Sequence, residues 1–248
     1  MTKTIAPWPY FSEEEISAVK NVLLSGKVNY WTGDECKTFE KEFASYVGRK
    51  YAIALANGSL ALELALIGYD IGPGDEVIVS CRSFMASASC AIMRGATPVF
   101  ADVDRTSQNI SVESIKSKIT NRTKAIICVH LAGWPCDMDA ILKVANEHNL
   151  IVIEDCAQAH GARYKGKNIG SIGHISAFSF CQDKIMTTGG EGGMLLTDDE
   201  TVYKKCWAYK EHGKSFDKIF NEERHPGFHW CIESFGTNWR MTEIQAVI

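Results

Sequence analysis

The stretch from residue 175 to residue 199, ISAFSFCQDKIMTTGGEGGMLLTDD, carries most of the information on how this chain folds. An apolar run typical of a strand leads to Lys184, a glycine-rich turn follows, and a second apolar run begins at Met194. A lysine between two predicted strands and beside glycines is unusual, because most lysines lie at the solvated surface. The stretch therefore predicts two strands that hold one lysine in the loop between them.

Upstream of this stretch, short apolar runs alternate with helical segments. Runs that are apolar throughout are typical of strands buried on both faces, which predicts an α/β domain with a mostly parallel sheet flanked by helices. The runs are YAIALA at 51–56, EVIVS at 76–80, TPVFADV at 97–103, KAIICVH at 124–130 and LIVIEDC at 150–156, and the helical segments lie near 59–68, 84–94, 111–118 and 137–148.

Both ends of the chain carry helical signals. Ser12 followed by Glu15 predicts a capping box for a first helix that ends near Gly26, and a second helical face ends at Gly48. The last residues, NWRMTEIQAVI, resemble the first turns of an apolar helix with neither a glycine stop nor a polar tail. From this pattern the chain reads as cut short.

Composition excludes several classes of function. The formal net charge is −4 in 248 residues, with no run of like charges, so neither a nucleic-acid nor a membrane partner is expected. The nine cysteines include no C-x-x-C pair of the zinc-binding kind, so no metal is expected and reduced thiols are the simpler interpretation. The N-terminus lacks an apolar segment of secretory length, which predicts a cytoplasmic protein.

Three strand ends suggest cofactor chemistry. A buried lysine such as Lys184 can lose its proton and form a Schiff base with an aldehyde, as pyridoxal phosphate (PLP) requires, although a solvated loop lysine is the ordinary alternative. Asp155 ends the run IVIED, where it could hold a pyridine nitrogen protonated or merely cap a helix. Asn57, Gly58 and Ser59 open a helix, which suits an anion but also an ordinary N-cap.

Several motifs in this order resemble the DegT/DnrJ/EryC1/StrS family of sugar aminotransferases. They are FEKEFASYVGRKYAIALANGSLALELAL, DEVIVSCRSFMASASCAI, IVIEDCAQAHGARYKGKNIGSIG, FSFCQDKIMTTGGEGG and GTNWRMTEIQA. The resemblance implies the fold type I (aspartate aminotransferase) architecture, with residues 1–248 forming a PLP-binding large domain on a seven-stranded sheet. The N-terminal helical segment 1–50 belongs to it, and the C-terminal small domain of the family is missing.

The resemblance also implies roles for particular residues. Lys184 matches the Schiff-base lysine and Asp155 the partner of the pyridine nitrogen. Phe84 and Gln158 match residues packed against the cofactor ring, where core or surface packing is the alternative. The phosphate would be held by Gly58, Ser59 and Ser179, and by Asn238 from the neighbouring subunit of a homodimer. Arg240 would contact substrate or hold its loop, and His160 would be a structural neighbour.

The implied reaction transfers an amino group, usually from glutamate, to a keto group of a nucleotide-linked deoxysugar. The turn after Lys184, MTTGGEGG, is one glycine longer than the frequent form, which bears on substrate choice. Two alternatives stay open at this point. One is another fold type I PLP enzyme, a lyase or a dehydratase, and the other is a truncated, non-catalytic protein that keeps the fold.

Overall fold

A seven-stranded sheet forms the centre of the molecule. The computed structural model describes residues 7–222 and 231–248. The strands of the sheet are β1 (Tyr51–Leu55), β2 (Glu76–Ser80), β3 (Thr97–Ala101), β4 (Thr123–Val129), β5 (Ile151–Asp155), β8 (Ile175–Ser179) and β9 (Gly193–Thr197), while β6 (Arg163–Tyr164) and β7 (Lys167–Asn168) form a separate hairpin.

The strand order in the sheet is β1-β9-β8-β5-β4-β2-β3. Strand β9 runs antiparallel to both of its neighbours, and every other pairing in the sheet is parallel. The carboxyl ends of six strands therefore meet at one edge, where ligands of α/β sheets bind. The predicted α/β class and the mostly parallel sheet are confirmed.

Helices cover both faces of the sheet. Their bounds are α1 (Glu13–Ser25), α2 (Glu35–Val47), α3 (Gly58–Gly68), α4 (Ala86–Met93), α5 (Val112–Lys118), α6 (Met138–Glu147), α7 (Glu200–Lys210), α8 (Phe216–Phe220) and α9 (Glu243–Ala246), and a 3₁₀ turn lies at Leu131–Gly133. One core lies between the sheet and α3, α4 and α7, and the cores on the opposite face involve α2, α5 and α6.

Side chains alternate between these two faces along the buried strands. In β1, Ile53 packs into the core under α3, while Ala52 and Ala54 pack into the core under α2. This is the reason why the strands are apolar at most positions. Strand β3 differs, because it lies at the edge of the sheet and Phe100 is exposed.

The helices begin and end close to the predicted positions, with one difference of substance. The capping box of Ser12 and Glu15 is present, and Gly26 and Gly48 end α1 and α2 in the left-handed conformation. Helix α4 begins at Ala86 instead of residue 84. As a result Phe84 lies in the loop before the helix and is 72% exposed.

Hydrogen bonds join the start of α2 to Glu243 in α9. Asp34 occupies the N-cap position of α2 without a side-chain capping bond. The buried carboxylate of Glu243 takes its place, accepting hydrogen bonds from the backbone N–H groups of Glu35 (2.6 Å) and Cys36 (3.4 Å). Among the described residues, no helix is both long and apolar enough to span a bilayer.

Candidate active site

A cavity of about 780 Å³ opens at the carboxyl ends of β5 and β8. Its wall is built from the start of α3, the loop and first turn of α4, the residues after β5, and the loop of residues 180–192 between β8 and β9. Seven predicted site residues line this cavity: Gly58, Ser59, Phe84, Asp155, Gln158, Ser179 and Lys184. Residues more than 120 positions apart in sequence thus meet at the edge formed by the carboxyl ends of the parallel strands.

One end of the cavity is a narrow cradle at the N-terminus of α3. Asn57 caps this helix, its side-chain oxygen accepting from the N–H of Leu60 at 3.0 Å. A Cβ atom on Gly58 would lie 2.6 Å from Cβ of Ser179, so no larger residue fits there. A Cβ atom on Gly193 would lie 2.3 Å from the carbonyl of Asn57. Helix N–H groups and two hydroxyls suit an anion in this cradle.

The carboxylate of Asp155 forms the floor of the cavity. Its side chain lies at the end of β5, and the residue is 6% exposed. The hydroxyl of Ser87 donates to Oδ2 at 2.6 Å, and the N–H of Ala157 donates to Oδ1 at 3.2 Å. Burial raises the pKa of Asp155 above its usual value, and these two donors oppose that rise without cancelling it.

Lys184 extends from the loop between β8 and β9 with its side chain 21% exposed. Its Nζ atom lies 3.1 and 3.0 Å from the two carboxylate oxygens of Asp183, which holds the ammonium as a charge-assisted pair. That contact lowers the pKa of the Asp183 carboxyl. Sequence reasoning missed Asp183, although its position next to the lysine was a usable signal.

Phe84 and Gln158 both line the cavity. Phe84 is exposed at the mouth, on the loop before α4. The side-chain oxygen of Gln158 accepts from the N–H of Ala132 at 2.8 Å, which fixes the side chain at the wall. Their predicted contacts with a cofactor ring stay predictions.

Asn238 lies outside the cavity wall, on residues 237–240, named here the strap. Trp239 accepts a hydrogen bond from the N–H of Ala56 at 3.0 Å, and Asn238 forms a bridge with Glu211. Arg240 donates from Nε to the buried carboxylate of Glu211 at 2.6 Å. Of the two roles considered for Arg240, this contact supports that of holding the loop. A role for Asn238 in a neighbouring subunit stays a prediction.

His160 packs between aromatic rings outside the cavity wall. Its ring centroid lies 5.4 Å from that of Phe178 and 5.6 Å from that of Phe180. Burial lowers the pKa of His160 to about 4, so the ring is neutral at pH 7. This position agrees with a structural role.

One group of side chains has the spacing of a metal site within the described residues. It consists of His130, Glu154 and Cys156, all buried. Both ring nitrogens of His130 already have partners, since Nδ1 accepts from the N–H of Cys136 at 3.1 Å and Nε2 lies 3.2 Å from Glu154. The group is a hydrogen-bonded network on the far face of β5.

Several known proteins resemble this chain over most of its length. GDP-perosamine synthase of Escherichia coli O157:H7 is 45% identical over 225 residues, which are 91% of this chain and 57% of that protein. The X-ray structure of an aminotransferase from Psychrobacter cryohalolentis shares 62% identity with a TM-score of 0.97, covering 98% of this chain and 62% of that one. The crystal structure of NtdA from Bacillus subtilis with bound cofactor PMP shares 30% identity with a TM-score of 0.83, and the match covers 99% of this chain and 55% of that one.

The chain thus spans about three fifths of the length of these relatives. Their structures bear out the fold type I architecture expected from the motifs. The sequence profile of one family matches residues 9–248, nearly the whole chain. On this evidence, the chain belongs to the DegT/DnrJ/EryC1/StrS aminotransferase family.

Proposed function

We propose that residues 1–248 form the PLP-binding large domain of an aminotransferase, which moves an amino group from glutamate to a keto group of a nucleotide-linked deoxysugar. The observation that carries the proposal is the convergence of three groups on one cavity: a lysine, a buried carboxylate and a helix N-terminus behind a glycine cradle. The lysine would bond the aldehyde of PLP, the carboxylate its pyridine nitrogen, and the helix N-terminus its phosphate.

The residues of the cavity fit PLP. The cradle of Gly58, Ser59 and Ser179 offers N–H groups and hydroxyls to a phosphate, and no side chain larger than hydrogen fits at position 58. Asp155 is a buried acceptor that would bond the pyridine N–H, and Phe84 and Gln158 would hold the ring. Lys184 would bond the aldehyde carbon. When bound, PLP supplies a protonated ring that withdraws electrons from the substrate carbon.

Two side chains of this chain handle the protons. Lys184 Nζ would take a proton from the α-carbon of the amino donor and return it to the carbon on the other side of the donor nitrogen, acting first as a general base and then as a general acid. Asp155 would keep the pyridine nitrogen protonated during both transfers. The same steps in reverse order place the amino group on the keto carbon of the acceptor.

The choice of substrate rests on the loop after Lys184 and on relatives. A relative that makes GDP-perosamine supports a nucleotide-linked sugar as the acceptor. Residues 185–192, IMTTGGEG, follow the lysine, and Glu191 lines the cavity. A turn one glycine longer than the frequent form changes the wall on this side and so the sugar that fits.

The remaining features of the proposal concern assembly. The protein would act as a cytoplasmic homodimer, in which Asn238 on the strap of one subunit reaches the phosphate held by the other. The strap is well suited to present it, because the backbone hydrogen bond from Ala56 to Trp239 and the Arg240–Glu211 pair fix its position.

Reductive labelling tests the proposal. Purified protein mixed with PLP and treated with borohydride should carry one stable adduct, on the peptide that contains Lys184, and Lys184→Ala should abolish it. Lys165→Ala is a matched control, since Lys165 also lies in a loop and pairs with an aspartate. Glutamate added to the PLP form should release one equivalent of 2-oxoglutarate. An adduct that persists in Lys184→Ala would refute the assignment.

A further inference from the structure

Two serines connect the wall of the cavity to Asp155. Ser87 lies in the first turn of α4, is 1% exposed, and bonds Oδ2 of Asp155 at 2.6 Å. Its hydroxyl oxygen also lies 2.6 Å from that of Ser83, which precedes the helix. Both serines line the cavity. The sequence carried no signal for this chain of hydroxyls, because serine is common at a helix start.

The order of donors in this chain follows from the charge of Asp155. An ionised carboxylate only accepts hydrogen bonds, so the single proton of Ser87 must point to Oδ2. The oxygen of Ser87 can then only accept from Ser83, and the proton of Ser83 must point to Ser87. A carboxylate therefore orients both hydroxyls, and both hydroxyls favour a carboxylate.

This support matters because burial works against the charge. Burial is the main influence on Asp155 and raises its pKa, whereas Ser87, the N–H of Ala157, His130 and Lys184 lower it in that order. Three thiols interact with Asp155 as well: burial raises the pKa of Cys90 and of Cys136 to about 12 and that of Cys156 well above its usual value, so all three are neutral at pH 7. Ser87 is thus the strongest single donor to a carboxylate that must stay ionised.

We infer that Ser87, oriented by Ser83, is a positioning residue that keeps Asp155 ionised and aimed into the cavity. The inference rests on the proposed function, in which Asp155 bonds the pyridine N–H. Ser87 makes no contact with the substrate in this role. It acts through Asp155, and the loss of its hydroxyl should weaken cofactor binding without removing Lys184.

Two readouts test this role. In cofactor-free protein labelled with [¹³Cγ]aspartate, the Asp155 signal is identified by its loss in Asp155→Asn, and in Ser87→Ala it should titrate at higher pH than in the wild type. The dissociation constant for PLP should rise about 10- to 100-fold, the range for a hydrogen bond to a charged group. Ser83→Ala should shift both readouts in the same direction by less.

Matched variants separate positioning from packing. Ser87→Thr keeps the hydroxyl and should restore both readouts, and Ser89→Ala, two residues further along α4, should change neither. If Ser87→Ala leaves the titration of Asp155 unchanged, the inference is wrong. If PLP binds no variant, the wild type included, the proposed function fails, and the titration in cofactor-free protein still decides the role of Ser87.

Discussion

Two adjacent carboxylates on β5, Glu154 and Asp155, face opposite sides of the sheet and have opposite surroundings. Glu154 is fully buried toward α2 and α6, and Asp155 is nearly so beneath α3 and α4. Asp155 has two hydrogen-bond donors. Glu154 has five groups around it: the N–H groups of Gly170 (2.9 Å), Ile172 (2.8 Å) and Gly173 (2.6 Å), His130 Nε2 (3.2 Å) and Arg49 (3.6 Å).

The pKa values of the two carboxyls shift in opposite directions as a result. Burial raises the pKa of Glu154, but His130 and the N–H groups of Gly170 and Gly173 outweigh it and the net pKa is lowered. Burial of Asp155 prevails over its donors, and the net pKa is raised. A carboxylate with a structural role is surrounded by donors, whereas one with a role in binding retains capacity for a further donor.

The largest effect should come from removing the carboxylate on the structural face. Glu154→Ala leaves three N–H groups and His130 Nε2 without their partner and removes one of the two carboxylates beside the buried guanidinium of Arg49, so it should lower the free energy of unfolding by about 3–5 kcal/mol. Urea unfolding measures this. A loss below about 1 kcal/mol would mean that the donors around Glu154 find water instead.

A smaller effect should come from the loop that wraps Glu154. In Gly173→Ala the new Cβ atom would lie 2.9 Å from the carbonyl oxygen of Val152 and 3.1 Å from Cγ of Glu154, which should cost about 1–3 kcal/mol. Gly72→Ala is the control, because its nearest neighbour, the carbonyl oxygen of Arg94, is 3.3 Å away. Equal losses for both variants would contradict the tight contact at Gly173.

On the cavity face, Asp155→Asn should leave the free energy of unfolding within about 1 kcal/mol of the wild type or above it, because it removes a buried charge with few donors. The amide keeps an acceptor for Ser87. The same variant should hold PLP weakly, as measured by equilibrium dialysis. A large loss of stability in Asp155→Asn would show that Asp155, like Glu154, stabilises the fold, and would contradict the difference between the two carboxylates.

The pH dependence of stability should differ in sign between the two faces. The pKa of Glu154 is lowered from 4.5, so its contribution is present above that pH and is lost as the pH falls through the lowered value. The pKa of Asp155 is raised from 3.8, so its ionised form costs stability, and this cost fades as the pH falls through the raised value.

Urea unfolding from about pH 6 to about pH 3 measures both slopes. The free energy of unfolding of Glu154→Gln should lie below that of the wild type at about pH 6, and this difference should shrink toward low pH. If the free energy of unfolding of Asp155→Asn exceeds that of the wild type, the difference should shrink over the upper part of the same pH range. Parallel curves for both variants and the wild type would contradict the assigned shifts.

Much of the fold was predictable because strands buried on both faces are apolar throughout. The runs at 76–80 and 150–156 became β2 and β5 within one residue. The position of β9 between β1 and β8, antiparallel to both, was not predictable from such a pattern, since an apolar run does not encode its direction. Helix α7 was also missed, because its buried face includes Lys210.

The candidate site was predictable where a residue type is itself chemically unusual. Lys184 beside glycines and Asp155 at a strand end drew attention, and the structure brings both to one cavity. Ser83 and Ser87 were not found, because a serine in a loop or at a helix start carries no signal until its neighbours in space are known. Asp183 was missed although it stands next to Lys184 in the sequence. The glycine requirement at position 58 likewise depends on Ser179, 121 residues later.

The Glu243 cap on α2 has a consequence for the order of events during synthesis. The N–H groups of Glu35 and Cys36 receive their acceptor from a residue more than 200 positions later. At 5–20 residues per second, a ribosome reaches Glu243 about 10–40 s after it has made α2. The first turn of the second helix is therefore open to water or to chaperones until Glu243 has been added to the nascent chain.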